Sequence, residues 1–200
     1  MILALVFFVS YALGSIPTGY WLGLAWKGVD VRKEGSGNLG ATNVFRVLGK
    51  GPGLVTLVAD ILKGLFPVLV ARSLAPASTT WPVIAGLGAI AGHATSPWVG
   101  FRGGKGVATS AGVFLALLPL PSLISIGLFA CLFAVTHIVS VSSLGGALGL
   151  SLASWFLSPH RLYAWMATGI AVFIFWTHRS NVARLLQGKE ARLTEGGRPS

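Results

Sequence analysis

The chain is short of cysteine, of acid and of charge altogether: one Cys, five Asp and Glu, and 10% charged residues in 200. Cys131 alone allows neither an internal disulfide nor a multi-cysteine metal site. The carboxylates are Asp30, Glu34, Asp60, Glu190 and Glu195. Four of them lie outside the apolar runs and none is spaced to serve a Ser-His-Asp machine of the soluble type. No H-E-x-x-H spacing occurs, so neither a metal nor another cofactor is expected. Apolar residues make up 54% of the chain. A soluble domain with so few charges would not stay in solution, and the composition is that of an all-α integral membrane protein. The formal charge of +10 would suggest nucleic acid in a soluble protein, but here the cations fall between apolar runs, where they set orientation. Nucleic acid is excluded as a partner; the lipid bilayer is the expected one.

Met1 to Trp26 has no charged side chain and no basic n-region, so it reads as an uncleaved first span rather than a signal peptide. Lys27, Arg32, Lys33, Arg46 and Lys50 hold the following loop, about 27–50, on the cytoplasmic side by the positive-inside rule. Gly51 to Ala71 then crosses outward and Trp81 to Val99 returns, which places Arg72 outside and Arg102 and Lys105 inside. At the other end the run from Leu162 to His178 is followed by Arg179, Arg184, Lys189, Arg192 and Arg198, a second cytoplasmic anchor. Between these anchors, Gly106 to His160 contains no Asp, Glu, Lys or Arg and must cross an odd number of times. At about 20 residues per crossing, three short helices fit and one does not. Pro119 and Pro121 mark the outer break, and the polar cluster His137 to Ser143 the inner one. The expected architecture is one transmembrane domain over 1–200, with about seven helices, N-terminus outside and C-terminus cytoplasmic. Its motif loops fall at about 27–50, 93–110 and 178–190, with a polar tail over 191–200. Small residues four apart, at Gly19 and Gly23, Gly88 and Gly92, and Gly145 and Gly149, are read as helix packing.

Gly100 to Ser110, G-F-R-G-G-K-G-V-A-T-S, sets two cations among glycines. Glycine lets backbone N–H groups approach an anion, the helix that follows turns its positive end toward the loop, and Lys adds a point charge. Arg102, Gly103, Gly104, Lys105 and Gly106 are therefore candidate phosphate ligands. The loop is not a Walker A loop: Gly100 stands one residue too close to Gly104-Lys105, and Gly106 follows the Lys where Ser or Thr is required. The first cytoplasmic loop, G-S-G-N-L-G from Gly35 to Gly40, matches the dinucleotide pattern letter for letter but follows a membrane helix instead of a strand, so that meaning is rejected. Its local physics survives, with Ser36, Gly37, Asn38 and Asn43 as hydrogen-bonding groups and Arg46 as a fixed cation.

Asp60 and Lys63 stand three apart inside a span, on one helix face, and can neutralise each other. The last span ends in H-R-S-N-V-A-R, bringing His178 and Asn181 to one face with Arg184 a turn further on. His93 ends a span before Ser96-Pro97, whereas His137 and His160 read as interfacial side chains. The parity of crossings brings Ser140, Ser142 and Ser143 to the cytoplasmic face. Three cytoplasmic loops rich in cations and donors are expected to converge where a water-soluble phosphate compound meets something dissolved in the bilayer. An organophosphate transporter would use the same cations but needs a polar path, and the outer halves of the spans offer almost none.

G-S-G-N-L-G-A-T-N-V-F-R, then G-H-A-T-S-P-W-V-G-F-R-G-G-K-G-V-A-T, then H-R-S-N-V-A-R-L-L-Q-G-K-E resemble, in order, the three motifs of the bacterial PlsY family of acyl-phosphate:glycerol-3-phosphate acyltransferases. G-S-I-P-T-G in the first span and Asp60, Lys63 and Gly64 resemble that family too. The resemblance implies transfer of a fatty acyl group from acyl phosphate to the 1-hydroxyl of sn-glycerol 3-phosphate in phospholipid biosynthesis, giving lysophosphatidic acid and phosphate. It implies no cofactor, a cytoplasmic-facing site in the cell (inner) membrane and a functional monomer. Catalytic roles fall on Ser36, Arg46, Lys105, His178 and Asn181. Substrate binding falls on Gly103, Gly104 and Gly106; Gly37, Asn38, Asn43, Arg102 and Arg184 join them from the local physics of their loops, and Ser143 only from the parity of crossings. Asp60, Lys63 and Glu190 are assigned structural roles, Glu190 as a brace for Arg184 or Lys105.

Overall fold

The computed structural model describes residues 1–193. Residues 194–200 of the polar tail, with Glu195 and Arg198, lie outside the described residues. Ten α-helices are present among them: α1 (Ile2–Gly14), α2 (Thr18–Lys27), α3 (Ala41–Leu48), α4 (Lys50–Leu74), α5 (Thr80–Ala94), α6 (Val107–Leu117), α7 (Pro119–Thr136), α8 (Val139–Leu157), α9 (Arg161–Thr177) and α10 (Arg179–Leu186). Four stretches are long and apolar enough to cross a membrane: Ile2–Lys27, Lys50–Leu74, Pro119–Thr136 and Val139–Leu157. Val107–Leu117 and Arg161–Thr177 are shorter apolar helices. Leu5, Phe8, Leu54, Phe66, Leu123, Phe156 and Trp165 are exposed, as suits helices whose outer faces meet lipid instead of water. The chain divides into two compact units, Met1–Ala116 and Leu117–Ser200.

In the first unit, α1 and α5 pack through glycine. A Cβ at Gly14 would fall on the backbone of Ala89, and one at Gly92 on that of Tyr11 and Ser15. Gly88 likewise abuts Phe7 and Ser10, so the Gly88/Gly92 pair serves the helix packing expected of it. Gly19 does so in part: a Cβ there would meet Val44 of α3 and Thr56 of α4 as well as Leu39 O. Gly23 instead meets Val29 O and Val31, because the end of α2 is packed by the loop that follows it. That loop leaves α2 through Gly28 at φ +64, with Gly28 N–H bonded to Leu24 O and Val29 N–H to Gly23 O, a glycine-terminated helix end that turns the chain back along α2. The α4–α6 contact uses Gly64, facing Thr109 O, and Gly112, facing Ile61 O.

Two of the expected spans are shorter or broken. The first is interrupted at Ser15 to Pro17, since Pro17 has no N–H to continue the ladder. The third stops at Ala94 instead of Val99. Ser96, the residue before Pro97, is extended (φ −65, ψ 122), and a 3-10 turn covers Pro97–Val99.

In the second unit α7 and α8 form a hairpin. Leu132 lies over Gly145 and Leu128 over Gly149, and Ser125 Oγ donates to Gly146 O at 2.7 Å, so this pair of glycines also packs helices. The break before α7 falls at Leu118–Pro119 and the one before α8 at His137, whose φ is +55, as the sequence predicts. Between α8 and α9, Thr168 Oγ1 meets Ser151 Oγ at 2.9 Å and accepts from Trp155 Nε1 at 3.1 Å.

Candidate active site

The first loop is built around Asn43. Its Nδ2 donates to Val31 O (2.8 Å) and Glu34 O (3.1 Å), while Oδ1 accepts the Ser36 N–H at 2.7 Å. Both amide protons are committed and the residue is buried, so Asn43 shapes the loop from beneath. Gly35 and Gly37 have φ of +59 and +70, and Asn38 Oδ1 accepts from Gly40 N–H at 2.9 Å, closing an Asx turn before α3. Ser36 is left on the exposed side of the loop, and Arg46 stands in the last turn of α3. Arg32 ties the loop down. It pairs with Asp30 at 2.7 Å, lies over the Tyr20 ring at 4.7 Å and donates to Val99 O at 3.4 Å. The hydrogen bond from the Arg32 side chain outweighs burial and holds the Asp30 carboxyl below the usual carboxylate range.

Val99 belongs to the second motif, and it shares one buried cluster with Val31, Leu39, Val44 and Leu48 of the first. The two glycine loops, far apart in sequence, thus rest on one apolar core. In the second loop Gly100 and Phe101 take φ of +69 and +60, and Phe101 N–H donates to Ser96 O at 2.8 Å. Gly103 N–H donates to Ala94 O (3.0 Å) and Gly104 N–H to His93 O (3.1 Å). The sequence suggests that these N–H groups receive the anion. In the structure they are already committed to the end of α5, and they fix the loop so that Arg102 is exposed and Lys105 is half-buried. Gly106, φ +83, then opens α6.

Beneath this loop Asp60 and Lys63 pair at 2.8 Å, as their spacing predicts, and Lys63 Nζ also donates to Ile16 O at 2.8 Å. The carbonyl is available because Pro17 breaks the helix there. His93 completes the group with Nδ1 at 3.7 Å from Asp60 Oδ1, a partnership the sequence does not announce.

In the second unit Glu190 is the hub. Ser140 Oγ donates to Oε1 at 2.8 Å, Asn181 Nδ2 to the same oxygen at 2.5 Å, and Arg184 Nε to Oε2 at 2.7 Å. Burial alone would push the Glu190 carboxyl up, but these three donors and the Arg184 charge outweigh it and leave the carboxyl below its ordinary value. Local backbone explains the reach. Gly188 at φ +67 ends α10, Lys189 N–H bonds Arg184 O, and Leu193 N–H bonds His137 O at 2.8 Å, folding the segment back onto the start of α8. Of the serines at the start of α8 that the sequence brings forward, the member that touches Glu190 is Ser140. Ser143 is buried within α8, and Ser142 bonds its own helix at Ile138 O. His178 is buried at the α9–α10 junction with Nδ1 2.8 Å from Ile174 O. A carbonyl only accepts, so Nδ1 carries the proton, and in the neutral ring Nε2 is an acceptor.

Comparison with known proteins now decides the family. The model of glycerol-3-phosphate acyltransferases matches residues 4–188. The chain belongs to this family. A glycerol-3-phosphate acyltransferase of Synechococcus sp. (strain JA-3-3Ab) is 46% identical over 92% of the chain and 90% of its own length. One of Geobacter sulfurreducens is also 46% identical, over 92% and 94%. The crystal structure of PlsY (YgiH), an integral membrane glycerol 3-phosphate acyltransferase, in its glycerol 3-phosphate form, superposes with a TM-score of 0.91. It is 36% identical, with 97% of this chain and 96% of that one covered. The lysophosphatidic acid form of PlsY gives 0.88 at the same identity. The chain is thus an integral membrane glycerol-3-phosphate acyltransferase of phospholipid biosynthesis.

Proposed function

We propose that the acyl donor is an acyl phosphate and that the acyl group goes to the 1-hydroxyl of sn-glycerol 3-phosphate, releasing lysophosphatidic acid and phosphate. The observation that carries this reading is the shared core of the two glycine loops, which fixes Arg46, Arg102 and Lys105 on one unit and suits them to hold phosphate groups. Ser36, Gly37, Asn38 and Asn43 form or shape the first anion loop, and Gly103, Gly104 and Gly106 the second. In the reaction the hydroxyl oxygen bonds to the acyl carbon, the carbon–oxygen bond of the mixed anhydride breaks, and the phosphate leaves with its electron pair. That leaving group is basic enough near neutral pH to take the hydroxyl proton, since phosphate monoesters have a second pKa near 6. A dedicated protein base is then unnecessary, and the scarcity of free carboxylates agrees with that. His178, with Nδ1–H bonded to Ile174 O, serves by hydrogen bonding to substrate or to a neighbouring residue and does not take the hydroxyl proton. Asn181 and Arg184 bind substrate from positions set by Glu190, and Ser143 supports α8 beside Ser142. Asp60 and Lys63 are structural.

The PlsY forms, named for glycerol 3-phosphate and lysophosphatidic acid, support the acceptor and product assigned to this chain. The protein is read as a seven-span monomer of the bacterial inner membrane, N-terminus outside and C-terminus cytoplasmic, with its site facing the cytoplasm. The deciding assay uses purified protein in lipid, labelled glycerol 3-phosphate, and acyl phosphate, acyl-coenzyme A or acyl carrier protein as donor. Lysophosphatidic acid forms with acyl phosphate alone; turnover with either thioester would sink the donor assignment. For topology, a cysteine beside Arg102 is labelled only from the cytoplasm and one beside Arg161 only from outside.

A further inference from the structure

Among the described residues the Asp60–Lys63–His93 group touches the glycine loop at one place, and the contact is close. A Cβ built on Gly104 would land on the Nε2 edge of the His93 ring, and one on Gly103 would meet the carbonyls of His93 and Ala94. The same two glycines donate their N–H groups to those carbonyls, at 3.0 and 3.1 Å. The loop therefore lies flat on the end of α5, with the imidazole as its floor. The floor is held from behind: Nδ1 faces Asp60 Oδ1 at 3.7 Å, Asp60 holds Lys63 at 2.8 Å, and Lys63 holds Ile16 O at 2.8 Å. Ser96 Oγ donates to Ser15 O, pinning the chain just after α5 to the same helix break. A narrow crevice lined by Ser15, Ile16, Asp60, Lys63, His93 and Gly104 runs between these parts. His93 is buried.

We infer that His93, clasped to the Asp60–Lys63 pair, is a positioning residue that sets the height of the Gly103–Gly104–Lys105 loop and thereby the affinity for glycerol 3-phosphate. This rests on the reading of that loop as the anion holder. A side chain that merely filled space would lower stability and every kinetic parameter together. A floor under one ligand-holding loop acts on one substrate. Glycine at 104 is then required by the ring as well as by any close approach of the ligand, and the two requirements are separable: removing the ring relieves the first and leaves the second.

The test is a double-mutant cycle on the full-length protein in lipid, reading KM for glycerol 3-phosphate, KM for acyl phosphate, kcat and the thermal midpoint. His93→Ala is expected to raise KM for glycerol 3-phosphate about tenfold with donor KM unchanged, because the loop loses the ring it rests on. Gly104→Ala alone is expected to be worse, because its methyl group meets the ring, and Gly104→Ala/His93→Ala to be better than Gly104→Ala. His93→Asn keeps a polar atom where Nδ1 faces Asp60 and vacates the space over Gly104; it replaces His93→Ala in the cycle if that variant does not fold. Effects that simply multiply, or that raise both KM values alike, would overturn the inference. Lys105→Ala distinguishes the two levels. If it leaves the KM for glycerol 3-phosphate at the wild-type value, the loop is not the anion holder, and the proposed link between His93 and substrate affinity falls with it. A KM that rises on Lys105→Ala without any rescue of Gly104→Ala by His93 substitution would overturn the positioning role alone.

Discussion

Two of the carboxylate–cation pairs among the described residues, one in each unit, hold under opposite conditions. Asp60 and Lys63 are neighbours on α4, and both side chains are shut away, at 4% and 8% exposure. Glu190 and Arg184 bracket a turn. The carboxylate is just as hidden at 7%, but the cation stands 43% exposed. In the first pair each charge depends on the other for nearly all its compensation, and a carbonyl released by a proline break supplies the remainder. In the second the carboxylate carries three donors, two of them neutral, and the cation is solvated. Burial of the anion is thus common to both, while exposure of the cation decides how much each pair stabilises the fold and how far solution conditions reach it.

The largest effect expected from this contrast is at Asp60. Asp60→Ala strands a buried ammonium and is expected to cost about 3–5 kcal/mol, whereas Asp60→Ala/Lys63→Met removes the stranded charge and recovers more than half of that. Thermal unfolding in detergent checks it; a double variant no better than the single would show that the pair is not self-neutralising. Next comes Glu190→Ala, which leaves Ser140 and Asn181 without their acceptor but Arg184 in water. About 1–3 kcal/mol of stability is expected to go, together with about tenfold or more in kcat/KM as Asn181 and Arg184 lose their positions. Stability loss with unchanged turnover would separate Glu190 from the site.

A smaller, conditional effect comes from pH. The Glu190 carboxyl lies below its ordinary value in the folded state, so its contribution is fully present above the usual Glu value of about 4.3 and is lost as pH falls through the lower folded value. The stability difference between wild type and Glu190→Gln is therefore expected to be constant from neutral pH down to about 5 and to shrink below about 4. A difference that grew on acidification would reverse the sign. Least of all is salt. Raising ionic strength to about 1 M shortens the screening length to roughly 3 Å, which is expected to weaken the Arg184–Glu190 pair by a few tenths of a kcal/mol. It should leave the cost of Asp60→Ala unaltered; equal salt dependence of the two would mean that water reaches Lys63.

The sequence is clear where chemistry interrupts hydrophobicity. Pro119 and the His137 region stop helices where they are expected to, the Asp60–Lys63 pair forms at its three-residue spacing, and Glu190 braces Arg184. It is opaque where one apolar residue follows another. Inside a bilayer the outer face of a helix is as apolar as its packed face, so periodicity does not tell Gly88, which meets a helix, from Gly23, which meets a loop. The break at Pro17 is written in the sequence, but its use is not, since nothing near residue 16 refers to Lys63. His93 and Ser140 are not legible as partners for the same reason: each meets its carboxylate across a long stretch of chain, at positions 60 and 190. Parity of crossings can point to one end of a helix, and so to the serine cluster at the start of α8. It cannot select the rotamer or register that makes Ser140 the donor and leaves Ser143 inside α8.

The released carbonyl of Ile16 also bears on how the chain is made. A ribosome delivers α1 and α2 before α4, so when Lys63 reaches the translocon its acceptor is already in the membrane, and Asp60, three residues earlier, enters with it. An isolated Lys at mid-span costs about 2.5–3.5 kcal/mol to insert; here the cost is met by groups made earlier or alongside, without waiting for His93. Synthesis order and charge order agree. Insertion of α4 from a chain truncated after Leu74 is accordingly expected to be efficient with Asp60 present and to fall with Asp60→Ala, as read by glycosylation of a site placed beyond α4.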